Sequence, residues 1–429
     1  MTKRTNHRLQ LKPFSKPALK FLWMMIRKRK TPSLSSRRSG LPAGCAAVLT
    51  DDEDVLIEIL ARLPVKTLMR FRCVCKTWKS LIADPHFVKK HIKYDAGSGR
   101  ALTDADLRLI FSMKPPSSMA LADLKGLKGA GVGERFRDDL VAVREVEFPV
   151  SLDFVKGDDI VNVGSCNGIM CIRVRGDYVL WNPCTGEHNV LPKPSAACYS
   201  RYYGFGYDDV NDDYKVVKES RMEVDDDGWV KPMIQVFSLR KGTWMTYPGP
   251  KNANMRGQGA YMNGKLHWLW FEEQGDMESS EIWAFSLAEE KFHEAILIPL
   301  NRLPNLYHTC VRGIVICRNC LCVYSDVGAV RILMMKEYGV EESWTQVLYL
   351  TFHEVPEIYD DICTVKPLWI LENGDVLAFT VQQGGYLSVY NAKDKAFRNV
   401  IRPERSYRFE EVIYRESLVS PVTGSPRDV

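Results

Sequence analysis

The feature that most narrows the fold of this chain is a turn that recurs about every fifty residues. Three Asn-Gly pairs, Asn167-Gly168, Asn263-Gly264 and Asn373-Gly374, each separate two apolar runs. Asn-Gly in that setting signals a hairpin, because a type I′ turn needs positive φ at both central residues. Similar turns at Asn211-Asp212-Asp213 and Asn319-Cys320 fill the gaps, so that positions 167, 211, 263, 319 and 373 lie 44, 52, 56 and 54 residues apart.

A second column repeats with the same period. Strand-like runs end at Trp181, Phe237, Phe285 and Tyr390, and seven positions after each comes a ring: His188, Trp244, Phe292 and Phe397. Trp344 takes the corresponding place after the run 331–335. A repeat of this length, holding about four short strands, is the size of one propeller blade. A lone blade exposes an apolar face that stacking around an axis buries. Five such units can be counted, and a sixth can be assembled from 107–111, 144–150 and the closing segment 412–420, which would remove open edges. An irregular β-sandwich is the alternative that the spacing leaves open.

Residues 49–94 follow a different period. Thr50 and Glu53 form a T-x-x-E capping box, with Asp51 and Asp52 placed for the positive end of a helix dipole. Val55, Leu56, Ile59, Leu60 and Leu63 then fall on one helical face, and Pro64 ends it. A second run carries Leu68, Phe71, Val74, Cys75, Trp78, Leu81 and Ile82 and breaks near Cys73. Asp84-Pro85 punctuates it, and Phe87, Val88 and Ile92 continue an apolar stripe. Three short helices of this size cannot hide so many apolar side chains alone. Either a partner clasps the unit in a helix-in-groove mode, or the unit is a helical cap on the next domain.

Charge separates the N-terminal stretch from the rest. The chain carries +5 overall, yet residues 1–50 hold twelve Lys/Arg and no Asp or Glu, leaving 46 basic against 53 acidic residues over 51–429, a net of −7. A mildly acidic folded part argues against a nucleic-acid surface there. The apolar run 21–26 is too short to span a bilayer or serve as a signal core, so no membrane role is expected. The twelve scattered cysteines read as reduced thiols of the cytoplasm or nucleus. Arg27-Lys28-Arg29-Lys30 matches a nuclear address, and the acid-free composition around it also fits a transit peptide. The division that follows is a basic disordered tail (1–48), a helical domain (49–94), a linker (95–106), a β domain (107–420) and a disordered end (421–429).

Several clusters invite chemistry. Cys317, Cys320 and Cys322, with Cys310 nearby, suggest zinc, but no second ligand pair follows, and alternation in a hairpin is expected to point these thiols to opposite faces. Cys73 and Cys75 read as packing residues rather than a redox couple. Asp208, Asp209, Asp212 and Asp213 lack the spacing of a calcium loop and read as a turn, and 225–228 as a solvated loop. His188, His267, His293 and His308 show no catalytic partner arrangement, and Gly204-x-Gly206 lacks the helix of a nucleotide fold. No catalytic residue, metal or cofactor is expected.

A resemblance adds to this reading. Leu49-Thr50-Asp51-Asp52-Glu53, the stretch 59–66 and the stretch 71–78 together resemble the F-box of plant F-box proteins. Gly164-Ser165-Cys166-Asn167-Gly168, Leu180-Trp181-Asn182-Pro183 and Tyr203-Gly204-Phe205-Gly206-Tyr207-Asp208 with Asp213-Tyr214-Lys215-Val216-Val217 resemble the F-box-associated interaction domain. The resemblance implies an α+β multidomain chain: a three-helix F-box, then an all-β propeller-like domain of five or six blade-like repeats. It also implies a non-catalytic role as substrate receptor of a Skp-cullin-F-box ubiquitin ligase, with a ligase-independent protein-binding scaffold built on a β-propeller as the alternative. The F-box would dock on a Skp-family adaptor, and through it on cullin and RING subunits, while the β domain binds an unknown target. The adaptor-facing residues would come from Leu49, Ile59, Leu63, Pro64, Val65, Leu68, Val74, Cys75 and Trp78. The family usually opens with Leu-Pro where this chain has Leu49-Thr50.

Overall fold

A computed structural model describes residues 47–97, 104, 107–112, 118–123, 143–147, 160–195, 200–224, 230–250, 254–271, 281–299, 311–326, 329–351, 365–380, 386–401 and 412–423. The basic tail (1–46), Cys310, His308, the loop 225–228 and residues 424–429 lie outside them. Two compact units divide between Leu56 and Ile57. The first contributes, among the described residues, only the opening turns of one helix.

Four helices replace the three expected: α1 (Ala47–Ala61), α2 (Val65–Phe71), α3 (Lys76–Ala83) and α4 (Pro85–Gly97). Helix α1 begins before Leu49, so Thr50 and Glu53 stand inside it rather than at its cap. Pro64 separates α1 from α2 and is the N-cap residue of α2. The chain breaks around Cys73, as the sequence implied. Asp84 opens α4: its Oδ1 accepts from the backbone of His86 at 2.8 Å and Phe87 at 3.2 Å, with Pro85 at the first helical position, where its missing N–H costs nothing.

The described strands form six sheets, as a propeller requires. The first is closed by the two ends of the β domain: β1 (Leu107–Ser112), β2 (Ser118–Asp123) and β3 (Val143–Glu147) are joined by β26 (Val412–Arg415), whose Arg415 pairs with Leu107 and Val412 with Ile110. Strand β2 is additional to the segments that the sequence offered for this blade. The next blades run β4 (Ile160–Cys166), β5 (Ile169–Val174), β6 (Asp177–Trp181), β7 (His188–Val190), then β8 (Tyr202–Asp208), β9 (Asp213–Val224), β10 (Val230–Ser238), β11 (Thr243–Pro248), with a short β12 (Gly257–Gln258) added parallel to β8. The fourth blade holds β13 (Ala260–Met262), β14 (Lys265–Trp270), β15 (Glu281–Ser286), β16 (Lys291–Phe292) and β17 (Ile296–Leu297). The fifth holds β18 (Gly313–Cys317), β19 (Cys320–Ser325), β20 (Ala329–Met335) and β21 (Trp344–Thr351), and the sixth β22 (Val365–Ile370), β23 (Val376–Thr380), β24 (Tyr386–Asn391) and β25 (Ala396–Ile401). Strands β4, β8, β13, β18, β22 and β26 touch in succession and close the ring.

Both sequence columns have physical causes. Trp181 pairs with His188, Phe237 with Trp244, Phe285 with Phe292, Met335 with Trp344 and Tyr390 with Phe397, each directly across the two outer strands of its blade. Three of these are ring pairs with centroids 5.1–5.3 Å apart, a contact that adds about 1 kcal/mol beyond burial. Asn167-Gly168 and Asn263-Gly264 have positive φ at both positions, as type I′ turns demand. Two turns differ from expectation. Cys317 pairs with Cys320, so the fifth-blade turn is Arg318-Asn319, both at positive φ. The sixth-blade loop runs from Leu371 to Asp375, and only Gly374 is left-handed there.

All these turns join an inner strand to its neighbour, so they share one face of the ring. That is the near face, and the inner strands start at the opposite, far face.

Candidate functional site

The structure separates roles that the sequence left merged. Val65, Leu68 and Trp78 are inside the helical unit, with Leu68 fully covered and the Phe71 and Trp78 rings 5.1 Å apart. Ile59 and Val74 point outward at 41% and 44% exposure, Pro64 and Cys75 are exposed, and Leu63 is half-buried. The side chain of Leu49 lies outside the described residues. Of the nine residues assigned to an adaptor face, five are therefore available to a partner: Ile59, Leu63, Pro64, Val74 and Cys75. Cys73 and Cys75 are both exposed, which corrects their reading as packing residues. Cys75 has another task, since its Sγ accepts from the backbone N–H of Trp78 at 3.5 Å and caps α3.

The other side of the helical unit is spoken for. Val88 and Ile92 of α4 pack on a cluster that includes Val163, Cys166, Phe205 and Tyr214 of the second and third blades and Val419 of the closing segment. Lys89 pairs with Asp212, which also accepts from the Tyr207 hydroxyl. His91 is buried, with Nε2 2.9 Å from the Leu63 carbonyl, tying α4 back to the α1–α2 corner. Lys90 pairs with Glu58 on α1 and, with burial opposing, holds that carboxyl below its usual value. The apolar stripe Phe87, Val88 and Ile92 was legible in the sequence, but its partner was not.

The motifs of the β domain build this seat. Asn167 donates from Nδ2 to the Tyr214 hydroxyl at 3.1 Å, and the Tyr207 ring lies tilted against Tyr214 with centroids 4.8 Å apart. Gly206 is required by close approach: a Cβ there would lie 2.3 Å from the Tyr261 ring. Asn182 anchors the closing segment by donating to the carbonyls of Ser417 (3.1 Å) and Val419 (2.8 Å). Val419 then completes the cluster under α4. A cavity of about 520 Å³ beside α4 is lined by Asn167, Tyr207, Asp212, Tyr214, Tyr261 and neighbours.

The clusters that invited chemistry have structural employment. Asp208 Oδ1 accepts from the backbone N–H of Val210 (3.1 Å) and Asn211 (3.0 Å), and Oδ2 sits 2.9 Å from Lys215 Nζ. Asp213 binds the Ser238 hydroxyl and the Arg240 N–H. These carboxylates shape turns. The three thiols of the fifth blade correct the expectation about their direction: Cys317 lies opposite Cys320, and Cys322 is two residues on, so all share one face. They pack in the core between blades, where hydrogen bonding to Cys317 and burial push the Cys322 thiol far up. No group of three metal-ligating side chains occurs among the described residues. His188 is exposed, and His293 Nε2 lies 3.3 Å from Glu289. His267 is buried between Ala260 O (3.0 Å) and Tyr338 Oη (2.6 Å), and burial lowers it to about 4.

The inner strands line a central channel, a cavity of about 500 Å³. Its described charged lining is Arg256, Arg312 and Lys366, with His267 beside them.

Comparison with known proteins agrees with this architecture. A model of the F-box domain matches residues 52–90, and one of the F-box associated beta propeller domain matches residues 138–421. The F-box/kelch-repeat protein At3g23880 of Arabidopsis thaliana is 29% identical over 388 residues, 86% of this chain and 95% of that protein. The F-box protein CPR1 of the same plant is 30% identical over 341 residues, 73% of this chain and 76% of its own. Among solved structures, TolB from Acinetobacter baumannii aligns at 12% identity and a TM-score of 0.42, over 77% of this chain and 72% of that one, a likeness too slight to carry any argument. Helices and ring together, the chain belongs to the F-box proteins that carry an F-box-associated β-propeller domain.

Proposed function

We propose that this protein is the substrate-recruiting subunit of an SCF-type ubiquitin ligase of the cytoplasm or nucleus. The F-box docks on a Skp-family adaptor, which brings cullin and RING subunits, and the propeller holds a target protein for ubiquitination. The observation that carries this reading is the helical unit: its α4 is engaged by the propeller, yet Ile59, Pro64 and Val74 remain outside, uncovered by either domain. Those side chains suit a partner that receives helices in an apolar groove.

Such a role asks no chemistry of the chain itself. Holding the target beside the charged ubiquitin carrier raises its effective concentration, and the gain depends on a defined separation. The α4 seat supports that geometry by fixing the F-box to the ring without depending on a flexible tether.

The test is co-purification of the full chain with a Skp-family adaptor, followed by ubiquitination of captured proteins with cullin and RING subunits added. Ile59→Asp and Val74→Asp are expected to abolish capture while preserving the fold. A wild-type chain that captures no such adaptor refutes the proposal.

A further inference from the structure

We propose that the target is held at the far-face mouth of the central channel, and that the mouth selects an acidic peptide segment. This rests on the substrate-receptor reading and names the surface and the ligand class. Topology locates the site. The F-box seat uses the near-face turns at Asn167 and 209–212 and the closing segment around Val419. Arg256 immediately precedes β12, which lies beside the start of β8; Arg312 precedes β18; and Lys366 is the second residue of β22. All three cations therefore stand where inner strands begin, on the face away from the F-box.

The chemistry of the mouth is one-sided. The described lining of the channel contains Arg256, Arg312, Lys366 and His267 and no carboxylate, although the folded part of the chain is net acidic. Asp326 lies 3.1 Å from Arg312 Nε, just outside the lining, and fixes that guanidinium. Arg256 is exposed, and among the described residues no carboxylate pairs with it. Positive charge gathered at a concave mouth focuses the field toward an anionic ligand.

A second observation points inward. Asn162 is only 3% exposed and lines the channel; its Nδ2 donates to Gln258 at 3.1 Å, while its Oδ1 has no donor among the described residues. A buried acceptor left without a donor is costly. A peptide N–H inserted at the mouth supplies one. The cavity volume of about 500 Å³ is within the usual range for binding pockets.

The experiment is selection of a displayed random peptide library on the immobilised full chain, with adaptor capture measured on the same preparation. Wild type is expected to enrich acidic over basic peptides by at least about tenfold, the ratio set by a single unfavourable charge contact. Arg256→Glu with Lys366→Glu should abolish or invert that preference and leave adaptor capture unchanged. Lys193→Glu, a charge reversal outside the channel with its side chain 80% exposed, should keep the preference. A neutral or basic pool, an acidic pool that survives the double reversal, or equal loss with Lys193→Glu overturns the inference. Displacement of the acidic pool by a single-stranded oligonucleotide of equal charge overturns it too, by marking a nucleic-acid groove. If wild type captures adaptor but shows no acidic preference, only this inference fails; if it captures no adaptor, the receptor reading fails first.

Discussion

Ile59 and Leu68 are both aliphatic members of the F-box motif, yet the structure assigns them opposite consequences. Leu68 is fully buried, so Leu68→Ala removes packed atoms and leaves a cavity; such changes cost about 2–5 kcal/mol. In a helical unit this small, that loss unfolds the unit. Ile59 keeps 41% of its surface. Full burial of such a side chain is worth about 2.5 kcal/mol, so covering what remains yields about 1 kcal/mol. Val74, at 44%, contributes a similar amount. The double variant Ile59→Ala/Val74→Ala should therefore fold normally and weaken adaptor binding by about 2 kcal/mol, roughly thirtyfold, provided the two contributions add. Titration calorimetry against a purified Skp-family adaptor reads the affinity, and circular dichroism with amide exchange over 57–97 reads the fold. An affinity within twofold of wild type would refute the assignment of this face to the adaptor. Unfolding of the double variant would refute the separation of inward and outward residues.

Gly206→Ala places a methyl 2.3 Å from the Tyr261 ring, and overpacking of that kind costs about 1–3 kcal/mol, readable as a lowered thermal midpoint. Lys215 is 5% exposed between Asp208 and Glu290, so Lys215→Met strands the fully buried Asp208 carboxylate and should destabilise the ring by about 3–5 kcal/mol; a change under 1 kcal/mol would contradict the pairing. Burial opposes ionisation of Asp208, but hydrogen bonds from Asn211 and Lys215 prevail and hold its carboxyl below the usual range. Its contribution is thus complete above the ordinary carboxylate value and lost as pH falls through the lower folded value, a slope that Lys215→Met should shrink in denaturation series. His267 runs on another window. Burial lowers it to about 4 from 6.5, so the unfolded chain takes up its proton first, and stability drops by about 3 kcal/mol as pH falls from 6.5 to 4. His267→Asn should flatten that interval, and an unchanged slope would mean another group titrates there.

The blade repeat was legible because each signal answers to one local rule. Asn167-Gly168 advertises a two-residue turn, and Phe237 with Trp244 advertises two strands in register, whatever lies around them. Strand β2 escaped because Ser118–Asp123 carries no aromatic partner column and no turn signature. The fifth-blade turn was misplaced by one residue because Arg318 takes positive φ, a state that sequence preference assigns to Asn or Gly. Thr50 and Glu53 fit a capping box in sequence, yet α1 simply runs through them. Which F-box side chains face outward could not be read, since Leu68 and Ile59 look alike until the neighbouring helices are placed. The far-face cations were invisible for a related reason. Arg256, Arg312 and Lys366 lie more than fifty residues apart in pairs, and only ring closure brings them to one mouth.

Ring closure also imposes a schedule on synthesis. The blade begun by β1 is completed by β26, which is made about three hundred residues later, and Asn182 must wait 235 and 237 residues for the Ser417 and Val419 carbonyls. Until residues 412–423 have left the ribosome, the first blade presents a raw edge and the platform beneath α4 lacks its last piece. Nascent chains interrupted before that point would carry an exposed F-box on an unfinished ring, and the cell would treat them as clients for chaperones or proteases rather than as receptors.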